Sequence, residues 1–215
     1  AIEYAQESGV KVKTIADIFC GCGTTAFEAK RNNIDFWGSD INPVATLIAR
    51  VKSRSYKTAR LDGYYENILN EYRSLNISKD VLADINPRIK YWFFDKQIKD
   101  LLKLKKAILS VVPAKSHYRD FFLCAFSNIL KPTSRWLTKS IKPQIDPNKK
   151  PSDVAVAFSN QFVFMRKANK QCHLESKAKT HIENVNFLQK NIIKHFVDLI
   201  VTSPPYVTSY EYADL

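Results

Sequence analysis

Apolar and polar positions follow two different rhythms along this chain, and the change of rhythm divides it. Residues 14–19 (Thr14, Ile15, Ala16, Asp17, Ile18, Phe19) and 35–39 are short β-rich runs, and each leads into a stretch with helical spacing. They predict strand 14–19, helix 24–32, strand 35–39 and helix 43–53, a βαβα start. A 3.6-residue period then takes over and predicts helices at 59–76, 85–111, 115–130 and 152–173. Ile89, Trp92, Phe93, Ile98, Leu101, Leu102, Leu104, Ile108 and Leu109 form one such series, and Tyr118, Phe121, Phe122, Ala125 and Ile129 another. That spacing assigns most of these side chains to a helix core. Residues 131–151, with Pro132, Pro143, Pro147 and Pro151, read as a long surface loop. β structure resumes near 179–184, and an apolar run at 196–202 makes a fourth strand. No internal repeat interrupts the pattern.

The predicted organisation has three parts: residues 1–57 open an α/β unit, 58–177 form a mainly helical insertion, and 178–215 return to the sheet. Four strands with right-handed crossovers make a parallel sheet in the order 3-2-1-4, which gathers chemistry at the carboxyl ends of the strands. The first strand runs into Cys20, Gly21, Cys22, Gly23, Thr24, Thr25, a glycine turn that opens a helix. Gly21 and Gly23 let a ligand approach the backbone, and the N–H groups at the helix start favour electronegative ligand atoms. Seventeen residues after Gly23 the second strand ends at Asp40, an acid placed to accept both hydroxyls of a ribose. Together these make a nucleoside pocket. A dinucleotide fits the same glycines, because the fingerprint's third glycine falls at Ala26, which it tolerates. The decision rests elsewhere.

The last strand ends in Thr202, Ser203, Pro204, Pro205, Tyr206. Two prolines fix two φ angles and remove two N–H donors, so the strand must bend and leave carbonyls outward. A hydroxyl at Ser203 and an aromatic at Tyr206 complete the equipment for holding a planar ring that bears an amino group. A nucleobase is such a ring.

The string Ser203 to Tyr206 resembles the Ser-Pro-Pro-Tyr motif of the S-adenosylmethionine-dependent DNA amino-methyltransferases. Asp17 to Thr25 resembles the same family's Asp-Pro-Phe-x-Gly-x-Gly-Thr-Thr motif, and Gly38 to Pro43 its Gly-x-Asp-x-Asn-Pro. Ile18 stands where the family has proline, a change in strand-end stiffness more than in chemistry. The resemblance covers residues 12–57 and 178–215 and implies a Rossmann-like class I methyltransferase sheet, incomplete here, so that the chain reads as a fragment. It implies S-adenosylmethionine as cofactor, held by Asp17, Phe19, Cys20, Gly21, Gly23, Thr24, Thr25 and Asp40, with Asp17 attracting the positive ligand. An acidic residue usually accepts from the cofactor's adenine fourteen positions before the last strand's aspartate; that position is Asn184, which keeps an acceptor and loses the charge. Glu183 beside it points to the other face of an extended segment.

The implied catalytic residues are Ser203, Pro204, Pro205 and Tyr206, acting on double-stranded DNA. Hydrogen bonds from the target amine to the Ser203 side chain and the Pro204 carbonyl orient its lone pair for direct attack on the methyl carbon, while Tyr206 stacks on a base flipped from the duplex. Ser at the first position leans toward cytosine N4 over adenine N6. No covalent intermediate is needed, so Cys20 and Cys22 are not nucleophiles. The same grip fits an amine in RNA or a glutamine amide in a protein. A non-catalytic nucleic-acid-binding module on a degenerate fold is a further alternative, and a cognate restriction endonuclease is a partner by family analogy.

Composition sharpens the picture in one place. The chain of 215 residues carries a net charge of +12, and residues 88–151 alone hold 15 Lys+Arg against 4 Asp+Glu. A segment so basic suits a polyanion. Four cysteines without a Cys-x-x-Cys pair give no expectation of disulfides or metal. No apolar stretch reaches membrane-spanning length and no leader is visible, so the expected place is the cytoplasm of a bacterial or archaeal cell.

Overall fold

A computed structural model describes residues 1–137, 139–140, 142–172, 176–189 and 197–204. Its contacts divide the chain into two compact units, Ala1–Ser55 with Leu174–Leu215, and Tyr56–His173.

The first unit is an α/β layer. β1 (Thr14–Asp17), β2 (Asp35–Asp40), β3 (Thr180–Asn184) and β4 (Leu199–Ile200) form an all-parallel sheet in the order β3-β2-β1-β4, the topology expected from sequence. The central strands bury consecutive residues, Ile15 to Asp17 and Phe36 to Ser39, because a parallel strand is covered on both faces. α1 (Ile2–Glu7) and α2 (Thr24–Arg31) pack one face, where Ala5, Val12, Ile15, Ala26, Ala29, Ile34 and Phe36 make a continuous core. Alanine at positions 26 and 29 removes side-chain bulk, so α2 lies close to the sheet. α3 (Pro43–Lys52) starts where Asn42 caps the N–H groups of Val44 (2.9 Å) and Ala45 (3.2 Å) and Pro43 takes the first helical position. α1 has no counterpart in the sequence reading, since six residues are too few for a period to emerge.

Only two residues of β4 pair with β1, so its docking depends on what precedes it. Asp198 supplies the pin: one carboxylate oxygen accepts from the N–H groups of Lys13 (2.9 Å) and Thr14 (2.8 Å). Those backbone donors, the Lys13 N–H foremost, hold the Asp198 carboxyl below its ordinary 3.8. A folded value below the unfolded one stabilises the fold above the unfolded value, and that contribution is lost as pH falls through the folded value. We expect Asp198→Asn to lower the thermal midpoint at neutral pH and to flatten its decline below pH 4, measured by fluorescence of Trp37 in the same unit with Trp92 and Trp136 replaced by phenylalanine.

The second unit is helical: α4 (Thr58–Ser74), α5 (Pro87–Trp92), α6 (Asp95–Val111), α7 (His117–Thr133) and α8 (Val154–Gln171). Aromatic rings fill its centre, with Tyr65 stacked on Phe162 at 4.0 Å and Phe121, Phe122 and Phe158 fully buried beside them. Arg166 clamps Asp62 through two hydrogen bonds of 2.5 and 2.7 Å, which lowers the Asp62 pKa. The helix predicted at 85–111 is two helices. Phe93 and Phe94 are extended between α5 and α6, because the Trp92 carbonyl accepts from Arg135 N–H (2.8 Å) and the Trp92 ring stacks on Trp136 at 5.4 Å. Tertiary contacts outweigh the local helical period there. The expected loop at 131–151 begins later, since α7 runs through Pro132, and it is tied by an antiparallel bridge between Trp136 and Ile145. Among the described residues no helix is long and apolar enough to cross a membrane.

Candidate active site

The strand registers place the carboxyl ends of β1, β2 and β4 side by side, with Asp17 opposite Gly38 and Ala16 opposite Ile200. Asp17, 5% exposed, closes β1. Its Oδ1 accepts from Phe19 N–H (3.2 Å) and from the Thr202 hydroxyl (2.9 Å), and its Oδ2 accepts from the Thr25 hydroxyl (2.9 Å). One carboxylate therefore joins the glycine turn, the start of α2 and the segment after β4. Three of its roughly four acceptor positions are filled from within the chain.

The turn itself hangs from β2. Cys20 N–H donates to the Ser39 carbonyl (2.9 Å), and Gly21 N–H donates to Asp40 Oδ2 (2.9 Å). Gly21 and Gly23 have φ of 47° and 75°, the left-handed region. Their surroundings differ. A Cβ on Gly21 would meet nothing within 4 Å, whereas one on Gly23 would lie 2.6 Å from the Ala49 side chain. Gly21 thus faces the open side of the turn, and Gly23 its packed side against α3.

Asp40 accepts Asn42 N–H at Oδ1 (2.8 Å) as well as Gly21 N–H at Oδ2, so each oxygen keeps acceptor capacity for a hydroxyl. Asn184 closes β3 and donates its amide to the carbonyls of Asp40 (2.9 Å) and Ile41 (3.0 Å). Neither bond uses its side-chain oxygen. Glu183 turns the other way and meets His181 Nε2 at 2.6 Å. Thr24 and Cys22 are exposed on the turn, and Cys20 is buried beneath it. Burial first, and then the charges of Asp17 and Asp40, push the Cys20 thiol up to about 12. It stays a neutral thiol at physiological pH, unsuited to nucleophilic attack.

Ser203 and Pro204 are exposed and directly follow Thr202. Pro205 and Tyr206 lie outside the described residues. Thr202 is the site residue that sequence reasoning passed over. Its signal was present: a hydroxyl-bearing residue at a strand end, separated by Ser203 alone from the Pro204–Pro205 pair that has no N–H groups. Among the described residues no group of three or more His, Cys, Asp or Glu side chains is placed to hold a metal ion.

S-adenosylmethionine is compatible with these residues. The open side of Gly21 admits a ligand to the backbone, Asp40 can accept ribose hydroxyls, and the Asn184 oxygen can accept an adenine amine. In an alignment of 224 positions that covers 95% of this chain, it is 23% identical to the Type II methyltransferase M.MvaI of Kocuria varians. The chain spans about half, 49%, of that protein's length. No family model and no solved structure matches the chain.

Proposed function

We propose that the chain belongs to an enzyme that transfers a methyl group from S-adenosylmethionine to the exocyclic amine of a DNA base, cytosine N4 in preference to adenine N6. The observation that carries this reading is the Asp17 carboxylate, which binds the glycine turn through Phe19 and Thr25 and the Thr202–Ser203–Pro204 segment through Thr202. A donor pocket and an acceptor grip share one anchor. The similarity to a type II methyltransferase supports the transfer chemistry, and the Ser-Pro-Pro-Tyr string supports an amino group as target.

The cofactor, when bound, supplies a methyl group activated by a sulfonium. The chain's residues do the rest. Asp40 and Asn184 orient the nucleoside end, and the glycine turn keeps bulk away from it. Ser203 and the Pro204 carbonyl accept from the target amine, which frees and aims its lone pair. Tyr206 stacks on the flipped base, repaying part of the few kcal/mol of unstacking. No side chain needs to form a covalent bond.

The second unit is the proposed nucleic-acid contact. Tyr91 and Phe94 are 57% and 48% exposed there, and the Arg135 guanidinium lies 5.1 Å from the Phe94 ring centre. Arg88, Lys90 and Lys131 are exposed in the same unit. This combination of cations and rings suits a phosphate backbone with bases beside it.

The test is methyl transfer from labelled S-adenosylmethionine to duplex DNA, with the product hydrolysed to nucleosides. We expect label in N4-methylcytosine. Label in N6-methyladenine alone would reverse the base assignment, and label only in transfer RNA or protein would end the DNA reading. A protein that binds DNA but shows no calorimetric binding of S-adenosylmethionine is a binding module instead.

A further inference from the structure

We infer that Thr202 is a positioning residue, whose hydroxyl sets the path of the acceptor segment relative to the methyl-donor turn; this rests on the functional reading above. The reasoning begins with what the segment lacks. Val201 N–H donates to the Ala16 carbonyl (3.0 Å), a bond that continues the β1–β4 ladder. Beyond it, Pro204 and Pro205 have no N–H to offer, and Ser203 and Pro204 are exposed. The prolines cannot donate to a backbone ladder, so a side chain is the means left for fixing the exit from β4.

Thr202 supplies that side chain. Its Oγ1–H donates to Asp17 Oδ1 at 2.9 Å across 185 positions of sequence. Asp17 is itself immobilised: it is buried, Phe19 N–H reaches the same oxygen, and the Thr25 hydroxyl holds the other. A charged acceptor makes this bond stronger than one between neutral groups. Its partner, Thr25, belongs to the first turn of α2, beside the glycines that would face the cofactor. The two threonines therefore act as opposite jaws on one carboxylate, one on the donor side and one on the acceptor side. Asp17, with three internal donors, serves here as the shared post between them.

The substitution that isolates the hydroxyl is Thr202→Val, which keeps the β-branched shape. With the intact protein, S-adenosylmethionine and duplex DNA, kcat should fall about tenfold, the effect of misplacing the acceptor by one lost charge-assisted hydrogen bond. The calorimetric Kd for S-adenosylmethionine should stay within about twofold, because Thr25 and Phe19 still hold the turn. Thr202→Ser restores the hydroxyl and should return kcat to near the wild-type value. Wild-type kcat in Thr202→Val overturns the inference, and so does a loss that serine fails to restore. A Kd that weakens in step with kcat also overturns it, since the hydroxyl would then act through the donor turn. An intact wild-type protein that transfers no methyl group to DNA, RNA or protein overturns the functional reading itself, and this inference with it.

Discussion

Gly23→Ala should destabilise the first unit by about 2 to 5 kcal/mol. Two independent costs meet at this position. An L-residue in the left-handed region loses about 1 to 2 kcal/mol, and Gly23 sits at a φ of 75°. The added Cβ would also lie 2.6 Å from the Ala49 Cβ and 2.7 Å from the Ala49 Cα, and Ala49 is fully buried in α3. Overpacking of this kind costs about 1 to 3 kcal/mol. Removing the Ala49 side chain cannot rescue it, because the second clash is with backbone. The measurement is a thermal melt followed at Trp37 with Trp92 and Trp136 replaced by phenylalanine, expected to fall by more than about 10 °C. Gly21→Ala is the informative contrast. It carries the strain of a φ of 47° without a clash, since nothing lies within 4 Å. Its melt should fall far less, while its new methyl group occupies the side open to a ligand and weakens S-adenosylmethionine binding. Equal melts for the two variants would show that the turn has no packed side.

Much of this was legible from residue order because the informative residues act locally. A strand that runs into Gly21 and Gly23, and a second that ends at Asp40, are close in sequence, and the structure joins them where Gly21 N–H donates to Asp40 Oδ2. The sheet order followed from crossover handedness. What escaped was tertiary. Trp92 ends α5 because it meets Trp136, forty-four positions away, and no period within 85–111 encodes that meeting. The helical series placed Ile98, Leu101, Leu104 and Ile108 correctly in the core, yet Ile89 and Leu109 are 44% and 39% exposed. A period identifies a face but not how far the covering helices extend along it. The Thr202–Asp17 bond links positions 185 apart, so the chemistry of each was visible separately and their union only in the fold.

Phe122→Ala tests the other unit, and its expected cost is about 3 to 5 kcal/mol, the usual range for emptying a buried phenylalanine site. Phe122 is fully buried and its ring lies 5.5 Å from Phe121, 6.0 Å from Phe162 and 6.4 Å from Phe158, centre to centre. Those neighbours come from α7 and α8 and are themselves large and rigid, so the site cannot collapse around the loss. With typical domain stabilities of about 5 to 15 kcal/mol, such a change removes a large share of the total. The tryptophans make the readout specific. Trp92 and Trp136 lie in this unit and Trp37 in the other, so a Trp37→Phe background reports the helical unit alone. Its transition should fall steeply on Phe122→Ala. Tyr91→Ala, at an exposed position, should leave the same transition within about 0.5 kcal/mol and weaken DNA binding. If Tyr91→Ala unfolds the unit as Phe122→Ala does, the exposed ring is core, and the nucleic-acid contact proposed for it must be sought on another face.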